Sequence, residues 1–186
     1  MIRRRGRFVE LRPAHEVDPS DLIEVMTRSA ATPVMGYTAG SAPAIGSPPA
    51  SAAIVACATG ICVGLAAASW VWDADDVAEV VLFMDRRRSR AGAGLEALYL
   101  FGDELFGNGV RRLLMRVLDI NLPVLSLMRH AGKPADAYLR RHHFLGGQFV
   151  GEYVFSWSAI EWSRMLNDRP QWLYLRNQAA TASARV

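Results

Sequence analysis

The 186 residues are 51% hydrophobic with a formal net charge of +3, enough for one domain with a proper core, with or without a tail. Two cysteines, Cys57 and Cys62, are too few for a disulfide framework and lack the second pair that a zinc site needs, so they read as buried thiols in a reducing cytoplasm. Every basic residue except Lys133 is arginine, a bias that suits phosphate because the planar guanidinium fork bonds two oxygens at once.

The N-terminal MIRRRGRFVELRP has basic residues but no apolar stretch behind them, which excludes a secretory signal. Within it, Arg7–Arg12 alternates as a first strand. Asp18-Pro19-Ser20-Asp21 has the composition of a helix start, with Asp18 or Ser20 as cap and Leu22–Arg28 as the helix. Residues 31–51 are rich in Pro, Gly, Ser and Ala, a long irregular segment suited to a substrate-side lid. The apolar run 51–72 is long enough for a transmembrane span. However, Ala58-Thr59-Gly60 interrupts it and its β-branched residues fall in two short groups, so it predicts a buried hairpin, Ala52–Ala58 with Ile61–Trp72.

Asp73–Asp76 is an acidic, solvated turn. Val77–Met84 is a strand apolar throughout except for Glu79. The arginine-rich DRRRSRAGAG follows, then a helix from about Gly94 to Phe106, closed by Gly107-Asn108-Gly109. Leu113–Leu118 is a strand, and Asn121-Leu122-Pro123 opens a helix over Val124–His130. Tyr138–Phe144 and Gln148–Trp157 form a hairpin around Gly146-Gly147. After Trp162 the chain reads as tail, with Trp172 and Tyr174 available for packing. This order predicts a single α/β domain over 1–165, with a mixed sheet, and a tail over 166–186.

The arginine loop has chemistry of its own. A helix N-terminus presents unpaired N–H groups and partial positive charge. Gly92 and Gly94 let an anion press on the backbone there, and Arg86, Arg87, Arg88 and Arg90 add side-chain charge. The prediction is a phosphate or pyrophosphate site. No Gly-Lys-Ser/Thr follows, which excludes a P-loop, and the three-glycine dinucleotide fingerprint is absent. A solvated basic loop capping a helix is the plain alternative.

Together these segments resemble the GNAT acyltransferase superfamily from about Arg5 to Trp162, closest to the branch of ribosomal-protein N-terminal acetyltransferases. Ala78-Glu79-Val80-Val81-Leu82-Phe83-Met84 matches that branch's Ala-Glu-apolar strand, and Gly92 and Gly94 match its pyrophosphate loop. Asn121, two apolar positions and Gly132 match its next helix, and residues 139–149 match its closing hairpin. The resemblance implies a mostly antiparallel sheet of six to seven strands with helices on both faces and a V-shaped split between the central strands. It implies acetyl-CoA or another acyl-CoA as co-substrate and no metal. The backbone of Phe83 and Met84 would pair with the pantetheine arm. Amides of Ala91, Gly92, Ala93, Gly94 and Leu95, with Arg88 and Arg90, would hold the pyrophosphate, and Asn121 would bond the pantetheine. The acceptor would be an amine, on a small molecule or a protein N-terminus. Dimers are frequent in the family.

Three positions depart from that pattern. Ser89 replaces Gln or Arg, Lys133 replaces an aromatic, and Met128 stands where many relatives carry the tyrosine that protonates the leaving thiolate. Glu79 is the candidate base, because an acid in an apolar strand is costly unless it is paired or faces a wet cleft. A structural pairing with an arginine is the alternative. His142 and His143 are rival bases, since one of two adjacent strand residues must face inward. Tyr138 and Tyr153 are candidate proton donors. Two other readings stay open: a non-catalytic acyl-CoA-binding protein on the same fold, and a nucleic-acid-binding module using the arginines.

Overall fold

The computed structural model describes residues 3–30, 50–72, 76–85 and 87–167. Most of the predicted lid, most of the acidic turn, Arg86, and Trp172 and Tyr174 of the predicted tail therefore lie outside the described residues. The elements in chain order are β1 (Arg4–Arg5), β2 (Val9–Pro13), a 3-10 turn (Ala14–Glu16), α1 (Pro19–Ala30), β3 (Ala50–Ala56), β4 (Cys62–Trp72) and β5 (Val77–Met84). They continue with α2 (Ala93–Gly107), β6 (Arg112–Leu118), α3 (Leu122–His130), β7 (Ala137–Leu145), β8 (Gln148–Ser158) and α4 (Ala159–Asn167).

The eight strands of the described residues belong to one sheet, in the order β1-β2-β3-β4-β5-β6-β8-β7. The expected six to seven strands are corrected by β1, a two-residue pairing of Arg4 and Arg5 with Leu11 and Glu10. An arginine run carries no alternation, so only its partner makes it a strand. Every neighbouring pair is antiparallel except β5 and β6. That pair is parallel because α2 carries the chain from the end of one strand back to the start of the other.

The strands bury both faces by alternation. Ala52, Ile54, Ala66, Ala78 and Val80 pack with Leu98 and Phe101 of α2, Met128 of α3 and Trp162 of α4. Ala53, Leu65 and Phe83 point the other way, onto Leu22 and Val25 of α1. Asp18 caps α1: its Oδ1 accepts from the Ser20 N–H at 2.8 Å and from the Ser20 hydroxyl at 2.7 Å. Cys62 is buried and its thiol is pushed up by desolvation, whereas Cys57 is only half-buried.

After β8 the chain forms α4, a helix not foreseen in the sequence that runs into the start of the predicted tail. Its start is a capping box: the Ser158 N–H donates to Glu161 at 2.8 Å, and the Glu161 N–H donates to the Ser158 hydroxyl at 3.3 Å. Trp162 is 2% exposed and donates its indole N–H to Asp103 of α2 at 2.9 Å. It rests on Gly102, where a Cβ would lie 2.2 Å from the Trp162 ring. Gly102→Ala must therefore push the helices apart. The expected cost is about 3 kcal/mol, seen as a melting temperature lowered by roughly 6–12 °C for a chain of this size.

Candidate functional site

The sheet opens between its central strands. β5 and β6 pair only through Val77↔Arg112, Ala78↔Leu113 and Glu79↔Leu114. Beyond that point β5 stays with β4 to the Gly64↔Met84 pair, and β6 stays with β8 to the Leu118↔Glu152 pair. Each strand keeps its antiparallel partner and releases the parallel one. Among the described residues no strand lies beside the edge of Val80–Met84 that faces β6, and a strand edge suits an extended polar ligand. Gly64 holds the other side tightly, because a Cβ there would lie 2.6 Å from the Phe83 carbonyl oxygen.

β5 ends at Asp85, which is 3% exposed. Its carboxylate accepts from the Arg87 N–H at 2.9 Å and from Arg28 of α1 at 3.0 Å, with Arg88 at 3.6 Å. Burial pushes the carboxyl up, but the Arg87 N–H and the Arg28 guanidinium outweigh it and hold it below the usual carboxylate range. A lowered folded value adds stability above the ordinary carboxylate range, lost as pH falls through that lower value. Asp85→Asn is expected to cost about 1.5–3 kcal/mol at neutral pH, because the bonds from Arg28 and the Arg87 N–H lose their charged acceptor. It should also flatten the loss of stability expected of the parent below about pH 4; urea titrations across that range measure both.

Arg88 also meets Glu24 of α1 at 3.1 Å, so carboxylates already balance its charge. Arg90 instead lies over the Phe8 ring at 5.6 Å, with Arg7 over the same ring at 5.2 Å. Arg7 is thus a second cation beside the start of α2, and no local signal in the sequence marks it. Phe8 is held there by Glu96 in the first turn of α2, whose carboxylate accepts from the N–H groups of Arg7, Phe8 and Val9 at 2.7, 2.7 and 2.9 Å.

Gly92 caps α2 in the left-handed region, at φ 92° and ψ −15°, a conformation that disfavours other residues. The Ala93 N–H bonds the Arg90 carbonyl at 3.0 Å and the Glu96 N–H bonds the Gly92 carbonyl at 3.0 Å. Among the described residues, the N–H groups of Gly92, Gly94 and Leu95 have no backbone acceptor in this turn. They present an anion-binding helix start at the end of β5. Met84 packs beneath it, with its Cγ 3.4 Å from where a Gly94 Cβ would be.

Beyond the free end of β6, Asn121 caps α3 and is 9% exposed. Its Oδ1 is buried and accepts no hydrogen bond among the described residues. An orphaned acceptor is costly, and a ligand amide N–H would satisfy it. Met128 is 3% exposed and packed in the core, so α3 offers no proton donor at that position.

Glu79 lies on the α1 face of the sheet, opposite in sense to its core neighbours Ala78 and Val80. Arg116 of β6 reaches it at 3.5 Å and reaches Glu152 of β8 at 3.5 Å. His142 and His143 also approach Glu152, at 3.9 and 3.2 Å. Glu79, the histidines and two unforeseen residues, Arg116 and Glu152, thus form one chain of polar groups across four strands. Glu152 carried the same signal that marks Glu79, an acid within an apolar strand.

Tyr138 is not part of this group. It pairs with Tyr153, which pairs with Val117, a core residue of the α2 face. Its hydroxyl donates to Asp119 at 3.1 Å, and that bond, more than any other cause, raises its pKa. Glu79 and Tyr138 therefore stand on opposite faces of the sheet.

No protein-family profile and no curated protein matches the chain. Solved structures do. A GCN5-related N-acetyltransferase from Brucella melitensis superposes with a TM-score of 0.68 at 23% identity, covering 88% of this chain and 81% of that one. A GNAT-family acetyltransferase from Bacillus anthracis gives 0.67 at 14% identity, over 84% and 98%. The ribosomal-protein-S5-alanine acetyltransferase of Vibrio fischeri gives 0.65 at 11% identity, over 87% and 99%. Likenesses at these identities concern the path of the backbone: this chain and those proteins share one fold.

Proposed function

We propose, from the premise that this chain has the GNAT fold, that it moves an acetyl or other short acyl group from an acyl-CoA to an amine. The single observation that carries this is the split between β5 and β6, with the Gly92-capped start of α2 at the end of β5. An acyl-CoA matches both parts. Its pantetheine arm is an extended chain of amides for the edge of Val80–Met84 that faces β6, and its diphosphate is an anion for the amides of Gly92, Gly94 and Leu95. Arg90 and Arg7 add charge beside that anion, and Asn121 Oδ1 receives an amide N–H. Arg88 serves by shaping the loop through Glu24 and Asp85.

Glu79 takes the proton that the attacking amine must lose, directly or through one water. It pairs with Leu114 at the last rung that β5 and β6 share, with Arg116 at 3.5 Å. The departing thiolate takes its proton from water, since Met128 has none to give. The acceptor is a small-molecule amine or a protein N-terminus, docked on the α1 face.

Met128 favours a second reading, an acyl-CoA-binding protein without turnover. Thiol release from acetyl-CoA, measured with a panel of small amines and peptide N-termini, separates the two. Amine-dependent release supports transfer. Binding in calorimetry without release on any acceptor supports the second reading, and no binding of any CoA thioester removes both. The nucleic-acid reading draws less support, because Arg88 is already paired with carboxylates and Arg90 lies on Phe8.

A further inference from the structure

We propose that His142, His143 and Glu152 form a binding site for a divalent transition metal ion, zinc being the fitting choice. The proposal does not depend on acyl-CoA binding. It begins with the backbone. Adjacent residues of a regular strand point to opposite faces, so two consecutive histidines should diverge. In β7 they do not. Its register against β8 slips between Leu139↔Glu152 and His143↔Val150, so four steps along β7 oppose two along β8. Within this bulge Arg141 takes φ 51°, a left-handed conformation that costs free energy in a non-glycine residue and recurs at functional sites. The outcome is that both imidazoles lie beside one carboxylate, with their rings edge to face at 4.8 Å.

The donor atoms of the three residues all lie within 4.8 Å of one another. A tetrahedral ion with ligands near 2.0–2.1 Å holds its donors about 3.3 Å apart, a modest contraction from here. Glu152 is 5% exposed. Its Oε2 and the Nε2 of His143 are buried, and neither makes a hydrogen bond among the described residues. His143 Nε2 lies 3.2 Å from Glu152 Oε1, close to it but without a hydrogen bond. Arg116 and His142 stand 3.5 and 3.9 Å from Oε2, and a cation held among these groups would offset the cost of burying the carboxylate.

Arg116 bridges Glu79 and Glu152, at 3.5 Å from each. Arg116 can keep Glu79 while the ion takes Glu152. Two imidazoles and one carboxylate suit zinc, cobalt or nickel better than magnesium or calcium, and three protein ligands leave a coordination position open toward the α1 face.

The test uses the full chain without an affinity tag, stripped with a chelator and titrated with Co2+ while its visible absorption is followed. One Co2+ per chain with ligand-field bands, displaced by Zn2+, is the expected result. His143→Ala and Glu152→Gln should each weaken binding by about a hundredfold, since even supporting residues around metal ligands are worth ten- to a hundredfold. His142→Ala, at an exposed position, guards against misfolding of the buried variants and should weaken binding similarly. His130→Ala, on α3 away from the cluster, should change nothing. Absence of stoichiometric Co2+ and Zn2+ binding, or binding unaltered by both histidine variants, overturns the proposal. Acetyl-CoA calorimetry on the same metal-free protein reports on the acyltransferase reading separately.

Discussion

Replacing Gly92 with valine is expected to reduce acetyl-CoA affinity by at least about a hundredfold. Two effects combine. A β-branched residue at φ 92° is strained by about 1–3 kcal/mol and will pull the backbone toward a different conformation. That movement turns away the amides of Gly92, Gly94 and Leu95, on which the diphosphate would rest. The side chain also occupies the space where an anion must approach the backbone. Gly109→Val is the matched control. Gly109 has φ 95° and open space around it, with nothing within 4 Å of a Cβ, and it lies at the other end of α2. The strain is comparable, so both variants should lose similar thermal stability. Only the Gly92 variant should lose acetyl-CoA binding in calorimetry. Equal affinities for the two variants would end the assignment of the diphosphate to this helix start.

Glu79→Gln is expected to lower kcat by about a hundredfold to ten-thousandfold, the range for removing a positioned general base, with the KM for acetyl-CoA nearly unchanged. Glutamine keeps the shape and an oxygen toward Arg116 but cannot accept the amine's proton. The loss should shrink as pH rises, because a larger share of the amine acceptor then arrives already deprotonated. A purely structural Glu79, paired with Arg116 at 3.5 Å, predicts otherwise: lower stability, little change in kcat and no such pH dependence. Steady-state kinetics over a pH series, alongside a thermal melt, distinguish the two roles.

The boundary between what was legible in the chain and what was not follows the range of the interactions. By itself the sequence determined the strands of the 52–72 hairpin, the helix after the arginine loop and the glycine that starts it, and the asparagine that opens α3. Alternation, caps and breakers act over a few residues, so they can be read without a partner. Glu79 was legible for the same reason, as a charge in an apolar run. The capping box of Ser158 and Glu161 was equally local and marks α4, but what makes that helix part of the core is Trp162 lying on Gly102, sixty residues back.

Only the tertiary structure decided the rest. The split exists because β5 keeps β4 while β6 keeps β8, a competition between pairings that no single strand encodes. Arg88 is tied to Glu24 and Arg90 to Phe8, so arginines of equal standing in the sequence have different surroundings. Tyr138 and Glu79 are separated by a strand's two faces, while the β7 bulge brings His142 and His143 to one carboxylate. Contacts between distant segments set these outcomes, and their geometry depends on the registers of strands that meet only once the chain has folded.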